Sequence, residues 1–207
     1  MMLKESEVKE ELIKESKLFH FGTLSMTHEE VRKATKKAIQ IAEEAGDIIS
    51  FDPNLREPLW NSLDEAKEQI LYGLSHCHIL KISDNEIQWL TGQEDYTDGV
   101  KWILERYQIP LILVSMGKEG SRAYYGGKMV EVKPFIQKNT IETTGAGDTF
   151  CGCVLHYICE HGLDNLTEEN LFEMLQFANA AASIITTRKG ALRVMPEEKE
   201  IAGLLGK

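Results

Sequence analysis

The run Thr143-Thr144-Gly145-Ala146-Gly147-Asp148-Thr149-Phe150 consists of small residues leading into an apolar stretch, with one acid among them. Glycines let a backbone approach an anion closely, and the first amides of a helix point outward at the positive end of its dipole. Together they make a cradle for a transferring phosphoryl group. Asp148 beside that cradle could take the proton of an attacking hydroxyl, while the amides of Ala146 and Gly147 stabilise charge growing on the phosphate. The same residues read equally well as a glycine turn with an aspartate helix cap, because Asp is a favoured capping residue. Two other phosphate motifs are excluded: no Lys follows the glycines as a P-loop requires, and Phe150 stands where a dinucleotide fingerprint has its third glycine. The H-R-D and D-F-G signatures of protein kinases are also absent.

Such a loop needs a scaffold, and hydrophobic periodicity supplies one. Amphipathic helical stretches alternate with short apolar runs, the mark of a parallel α/β sheet. The pattern predicts a helix from about Lys4 to Ser16, a strand over Leu18 to Leu24, and a helix over Thr27 to Ala45 closed by Gly46. It continues with a strand over Ile48 to Phe51, a helix over Ser62 to Gly73, a strand over Cys77 to Ile82, and a short helix ending at Thr91-Gly92. A helix carrying Val100, Ile103 and Tyr107 then precedes the strand Leu111 to Val114. Ser121 to Tyr125 and Lys128 to Lys133 flank Gly126-Gly127, which supplies the positive φ angles of a tight hairpin. From Thr149 onward the pattern is helical.

At 207 residues and 43% hydrophobic, with no Pro- or Ser-rich linker, the chain is expected to form one domain over 1–207. A formal charge of -10 disfavours nucleic acid as a partner. The apolar stretches are short and broken by charge, which leads us to expect no membrane partner and a cytoplasmic location. Cys77, Cys151, Cys153 and Cys159 lack zinc-ribbon spacing and read as reduced thiols. His76 and His78 have no third ligand nearby, so no metal-ligating residues are assigned.

Several further segments occur in a telling order: Phe51-Asp52-Pro53-Asn54-Leu55-Arg56 with Leu59-Trp60, Lys81-Ile82-Ser83-Asp84-Asn85-Glu86 with Leu90-Thr91-Gly92, Ser115-Met116-Gly117-Lys118-Glu119-Gly120, and Phe177-Ala178-Asn179-Ala180-Ala181-Ala182. With the glycine loop they resemble the ribokinase-like, or PfkB, family of carbohydrate kinases over most of the chain. The resemblance implies an α/β fold of the three-layer α/β/α sandwich type, with a small hairpin around 121–133. It implies Asp148 as the catalytic base and Gly145, Ala146 and Gly147 as the anion hole. Ser115, Gly117 and Gly120 would lie along ATP, and Asn179 near the adenine, although an Asn in an Ala-rich helix also suits local hydrogen bonding. Glu86 falls on the acidic position of a motif linked to magnesium and phosphate, with Ser83 where the family has Asn; a solvated helix charge is the alternative. Lys81 would reach the phosphates as a mobile cation or sit at the solvent end of a strand. Arg56 would grip sugar oxygens or phosphate with its guanidinium fork, or form a structural ion pair.

The segment wording is nearest to the fructokinase and 2-keto-3-deoxygluconate kinase branches, and implies an ATP-dependent kinase acting on a small sugar, with magnesium. Glu142 stands where relatives carry an aspartate of a monovalent-cation site, while Thr144, Arg188 and Gly190 resemble the rest of it, so potassium enters as a second candidate ion. The family has a long region before the strand matched by Leu18 to Leu24, carrying a lid and part of the sugar site. The expectation is therefore a fold incomplete at its N-terminal side, with self-association or a separate N-terminal chain as partner. A catalytically silent nucleotide-binding fragment is the alternative to an active kinase.

Overall fold

The computed structural model describes residues 2–206. Its first elements show how parallel strands arise from this sequence. Strand β1 (Leu18–Gly22) is followed by helix α2 (Glu29–Ala45), after the short α1 (Glu10–Lys14), and the chain returns as β2 (Ile48–Asp52). Helix α2 buries Ala34, Ala38, Ile39, Ile41 and Ala42 on one face, and Gly46, at φ 78, ends it with its N–H on the Ala42 and Glu43 carbonyls. Helix α3 (Leu63–His76) leads to β3 (Ile79–Ser83), and α4 (Asp84–Thr91) and α5 (Tyr96–Leu104) lead to β4 (Leu111–Ser115). Strands β1 and β2 pair in parallel, as do β2 and β3.

After β4 the pairing reverses. Strands β5 (Ser121–Tyr125) and β6 (Lys128–Val132) form an antiparallel hairpin, with Gly126 at φ 57 and Gly127 at φ 78 in the turn. The strands follow chain order in a six-stranded mixed sheet, so the α/β class expected from the alternation holds. Helices α6 (Ala146–His161), α7 (Glu168–Ile185) and α8 (Glu198–Leu205) complete the eight α-helices among the described residues. None of those helices is long and apolar enough to cross a membrane.

By compactness the chain divides into a unit up to Ile112 and a unit from Leu113. The first has its core in Phe21, Ile49, Phe51, Ile79, Leu80 and Ile82, against α2 and α3. The rings of Phe21 and Phe51 lie 4.7 Å apart, and Gly73 leaves room for Phe51, since a Cβ there would meet the ring at 2.4 Å. In the second, Ala180, Ala181 and Ile201 pack with Phe135, Cys153, Phe177, Ile184 and Leu205.

Three boundaries differ from expectation. The first helix is split: a single 3-10 turn at Glu5–Glu7 and α1 are separated by Val8 and Lys9 in extended backbone. Strand β1 stops at Gly22, which lies against the Asp52 carbonyl where a Cβ would sit 2.8 Å away, and the chain then folds into a 3-10 turn over Thr23–Met26. Helix α6 begins at Ala146, inside the glycine loop. The histidines are absorbed structurally: His78 Nδ1 accepts the Ile49 N–H at 3.0 Å, and His76 meets Glu43 at 2.6 Å. All four cysteines are reduced, and burial pushes the Cys153 thiol up to about 11.

Candidate active site

The glycine loop, in the second unit, places a carboxylate at the mouth of a helix without using it as a cap. Gly145, at φ 79, is the N-cap of α6, a conformation that suits glycine, and a side chain there would crowd Ala191 and Ile185. Asp148 is therefore the third residue of the helix. It is exposed, no side-chain cap bond closes this helix, and among the described residues its carboxylate has no hydrogen-bond or ion-pair partner. This removes the capping alternative. The turn also reassigns the amides: Ala146 N–H donates to the Thr143 carbonyl at 3.2 Å, while those of Gly147 and Asp148 have no acceptor among the described residues. The pair of free donors is thus Gly147 and Asp148, one residue later than Ala146 and Gly147.

Next to this loop the chain is strapped to the end of α7. The amides of Ile141 and Glu142 both donate to the Thr186 carbonyl, and the Glu142 carboxylate accepts the Gly190 N–H at 2.6 Å. Arg188 donates to the Val194 carbonyl at 2.9 Å and pairs with Glu200 of α8. Of the residues the resemblance assigned to a potassium site, Glu142 therefore has one carboxylate oxygen engaged by the Gly190 amide, and the Arg188 side chain serves α8.

The segment expected along the nucleotide is held just as tightly. Ser115 ends β4, Gly117 takes φ 52, and Met116 N–H donates to the Gly120 carbonyl at 2.9 Å. Gly120, at φ 103, lies so close to the Val132 carbonyl that a Cβ would fall 2.1 Å from it. Asn179 locks the same junction from α7. Its Oδ1 accepts from the Ser121 hydroxyl at 3.0 Å, and its Nδ2 donates to the carbonyls of Val132 and Lys133 at 3.2 and 3.3 Å. At 8% exposure its amide serves the hairpin, so any effect on a nucleotide acts through the loop.

The first unit holds a second cluster. Lys81 is 6% exposed and its Nζ lies 3.0 Å from Asp52 Oδ2. Both expectations for Lys81, a mobile cation and a strand end in solvent, are corrected by this buried pair. The register explains it: Phe51 pairs with Leu80, so Asp52 and Lys81 come next on neighbouring parallel strands. Burial raises the Asp52 carboxyl above its ordinary range, Lys81 opposes that shift, and Glu86 adds to it. Glu86 is 9% exposed, so it is not a solvated charge. Its Oε2 accepts the Ser83 N–H at 2.9 Å and hydroxyl at 2.7 Å in a capping box, and its Oε1 accepts the Leu55 N–H at 2.7 Å. Ser83, where the family has Asn, is the N-cap of α4. Arg56 is exposed, and among the described residues it has no carboxylate partner, which removes the structural ion pair.

Asp52 was not singled out from the sequence, although an acid at the end of an apolar strand, with a lysine inside the next, was a usable signal. Among the described residues no three His, Cys, Asp or Glu side chains gather as a metal cluster.

Comparisons with known proteins identify the family. The model of the pfkB family carbohydrate kinases matches residues 1–198. Fructokinase-1 of Zea mays is 40% identical over 207 residues, covering 100% of this chain and 64% of its own length. The chain spans 62% to 64% of the first curated relatives it matches. A 38% identical relative from Arabidopsis thaliana is covered to 97%. Among solved structures, the fructokinase of Vibrio cholerae O395, bound to fructose, ADP and calcium ion, superposes with a TM-score of 0.86 at 27% identity, covering 99% of this chain and 65% of that one. With its α/β fold and its glycine loop at the head of α6, the chain belongs to the pfkB family of carbohydrate kinases.

Proposed function

We propose that the chain transfers the γ-phosphate of ATP to a hydroxymethyl group of a sugar, with fructose ahead of 2-keto-3-deoxygluconate and ribose. The observation that carries this reading is the uncommitted Asp148 carboxylate beside the free amides of Gly147 and Asp148. The carboxylate takes the hydroxyl proton as the oxygen attacks phosphorus, and the amides bind the charge that accumulates on the phosphoryl oxygens. Gly145 and Ala146 shape the turn that aims them. Ser115, Gly117 and Gly120 line the nucleotide, with Asn179 holding that loop. Arg56 supplies a cation for the phosphate or sugar oxygens.

The fructokinase names of the relatives, and the fructose and ADP bound to the Vibrio protein, support the choice of sugar and nucleotide. Magnesium fits as an ion carried on the phosphate oxygens and water, where it neutralises charge during transfer; no cage of protein carboxylates is required. The partner is a small sugar in the cytoplasm. Association with a second copy or another chain is the reading to check by sedimentation.

The test is ADP release by the purified chain with each of the three sugars, alongside Asp148→Asn. Sugar-dependent turnover that the substitution lowers by about 100-fold or more supports the kinase. ATP binding without turnover in the parent would instead identify a silent nucleotide-binding fragment.

A further inference from the structure

Strand β2 does not run straight into its loop. After Asp52 and Pro53 the backbone takes φ 44 at Asn54, in the left-handed region that only Gly, Asn and Asp visit with ease. Two carboxylates hold the turn from opposite sides of the sequence. Asp52 Oδ1 accepts the Asn54 N–H at 3.1 Å, and Glu86, reaching over from the first turn of α4, accepts the Leu55 N–H at 2.7 Å. Lys81 balances Asp52, and Ser83 fixes the other Glu86 oxygen through two bonds. The next residue is Arg56. Its Nη1 donates to the Leu55 carbonyl at 3.0 Å, so the guanidinium is tied to the residue whose N–H Glu86 accepts, on the next peptide along the chain.

Resting on the kinase reading above, we infer that Glu86 and Asp52 are positioning residues for Arg56, and that Arg56 so presented takes an anionic phosphate group. Three features point this way. Both oxygens of Glu86 accept from protein donors, and one of those donors is the Leu55 N–H of the arm itself. The left-handed turn at Asn54 is flanked by two amides that buried carboxylates accept, which fixes the direction in which the chain leaves β2. Arg56 alone in this cluster is exposed and without an acid, a planar fork of donors suited to phosphate oxygens.

The experiment titrates the purified chain with inorganic pyrophosphate in EDTA, without metal, and compares Arg56→Ala, Glu86→Ala, Glu86→Gln and the Arg56→Ala/Glu86→Ala double variant. Arg56→Ala is expected to weaken binding about tenfold, the size of one charge-assisted hydrogen bond. Glu86→Ala should weaken it by a similar factor, and the double variant no further, because both act through one group. Glu86→Gln, which keeps one acceptor, should fall between. The direction discriminates, since removing a negative charge near a phosphate site would by electrostatics alone tighten binding. Equal or tighter binding by Glu86→Ala, or losses that add in the double variant, overturns the inference. Asn54→Gly, which frees the turn while leaving every carboxylate in place, should also weaken binding; a parent-like value counts against the arm.

A parent that binds pyrophosphate with these effects but phosphorylates no sugar leaves the arm standing and removes the kinase reading. A parent that turns over but whose Glu86→Ala variant is unaffected in both assays does the reverse. A parent that binds no pyrophosphate overturns the arm.

Discussion

Asp148 owes its availability to the residue three places before it. With Gly145 as N-cap, the carboxylate stands in the first helical turn with nothing to hold, so Asp148→Asn should abolish turnover while leaving the thermal midpoint within a degree or two by calorimetry. Lys81 is the opposite case, a charge whose value is structural. Lys81→Met would leave Asp52 buried without its ion-pair partner, and should cost about 3–5 kcal/mol in urea unfolding. On the proposed reading the two variants separate: the first lowers turnover, the second lowers stability.

Among elements, the Asn179 side-chain amide ties the hairpin to α7 by three hydrogen bonds. Asn179→Ala would strand the Ser121 hydroxyl and the Val132 and Lys133 carbonyls, and should cost about 2–3 kcal/mol, with faster amide exchange in β5 and β6 and weaker ATP binding. Helix α8 is attached partly by charge. The Glu200 carboxyl is held below its ordinary value of 4.5, first by the Glu197 N–H and then by Arg188. A lowered folded value means that this contribution is present above about pH 4.5 and lost as pH falls through the folded value. Amide exchange in α8 should therefore rise below pH 4.5 before that in α6, whose contacts are apolar.

For the whole molecule, the expected signature of function is linkage. ATP with magnesium at a hundredfold excess over its dissociation constant should stabilise the chain by about 2.7 kcal/mol. Asp148→Asn should show the same shift in thermal unfolding, because in the proposed reaction the base acts on the sugar hydroxyl rather than on the nucleotide. Strand β1 lies at one end of the sheet and β6 at the other. The charged residues Lys128 and Glu131 guard β6, whereas β1 offers half-buried Leu18 and Phe19, which makes it the edge to watch for association.

The sequence by itself determined what depends on neighbours along the chain. Helix α2 with its Gly46 stop, the Gly126-Gly127 hairpin and the glycine loop before α6 all follow from side-chain period, positive-φ glycines and caps, which act within a few residues. The start of α6 inside the loop escaped that reading, because Asp148 satisfies the rules for a cap as well as those for a first-turn acid. Only the tertiary structure decided the states of Lys81, Glu86, Asn179 and Arg56. Lys81 meets Asp52 across 29 residues, Glu86 meets Leu55 across 31, and Asn179 meets Val132 across 47. Those meetings are set by strand register and helix placement. A lysine in an apolar strand is therefore cation or buried partner according to what the adjacent strand places beside it.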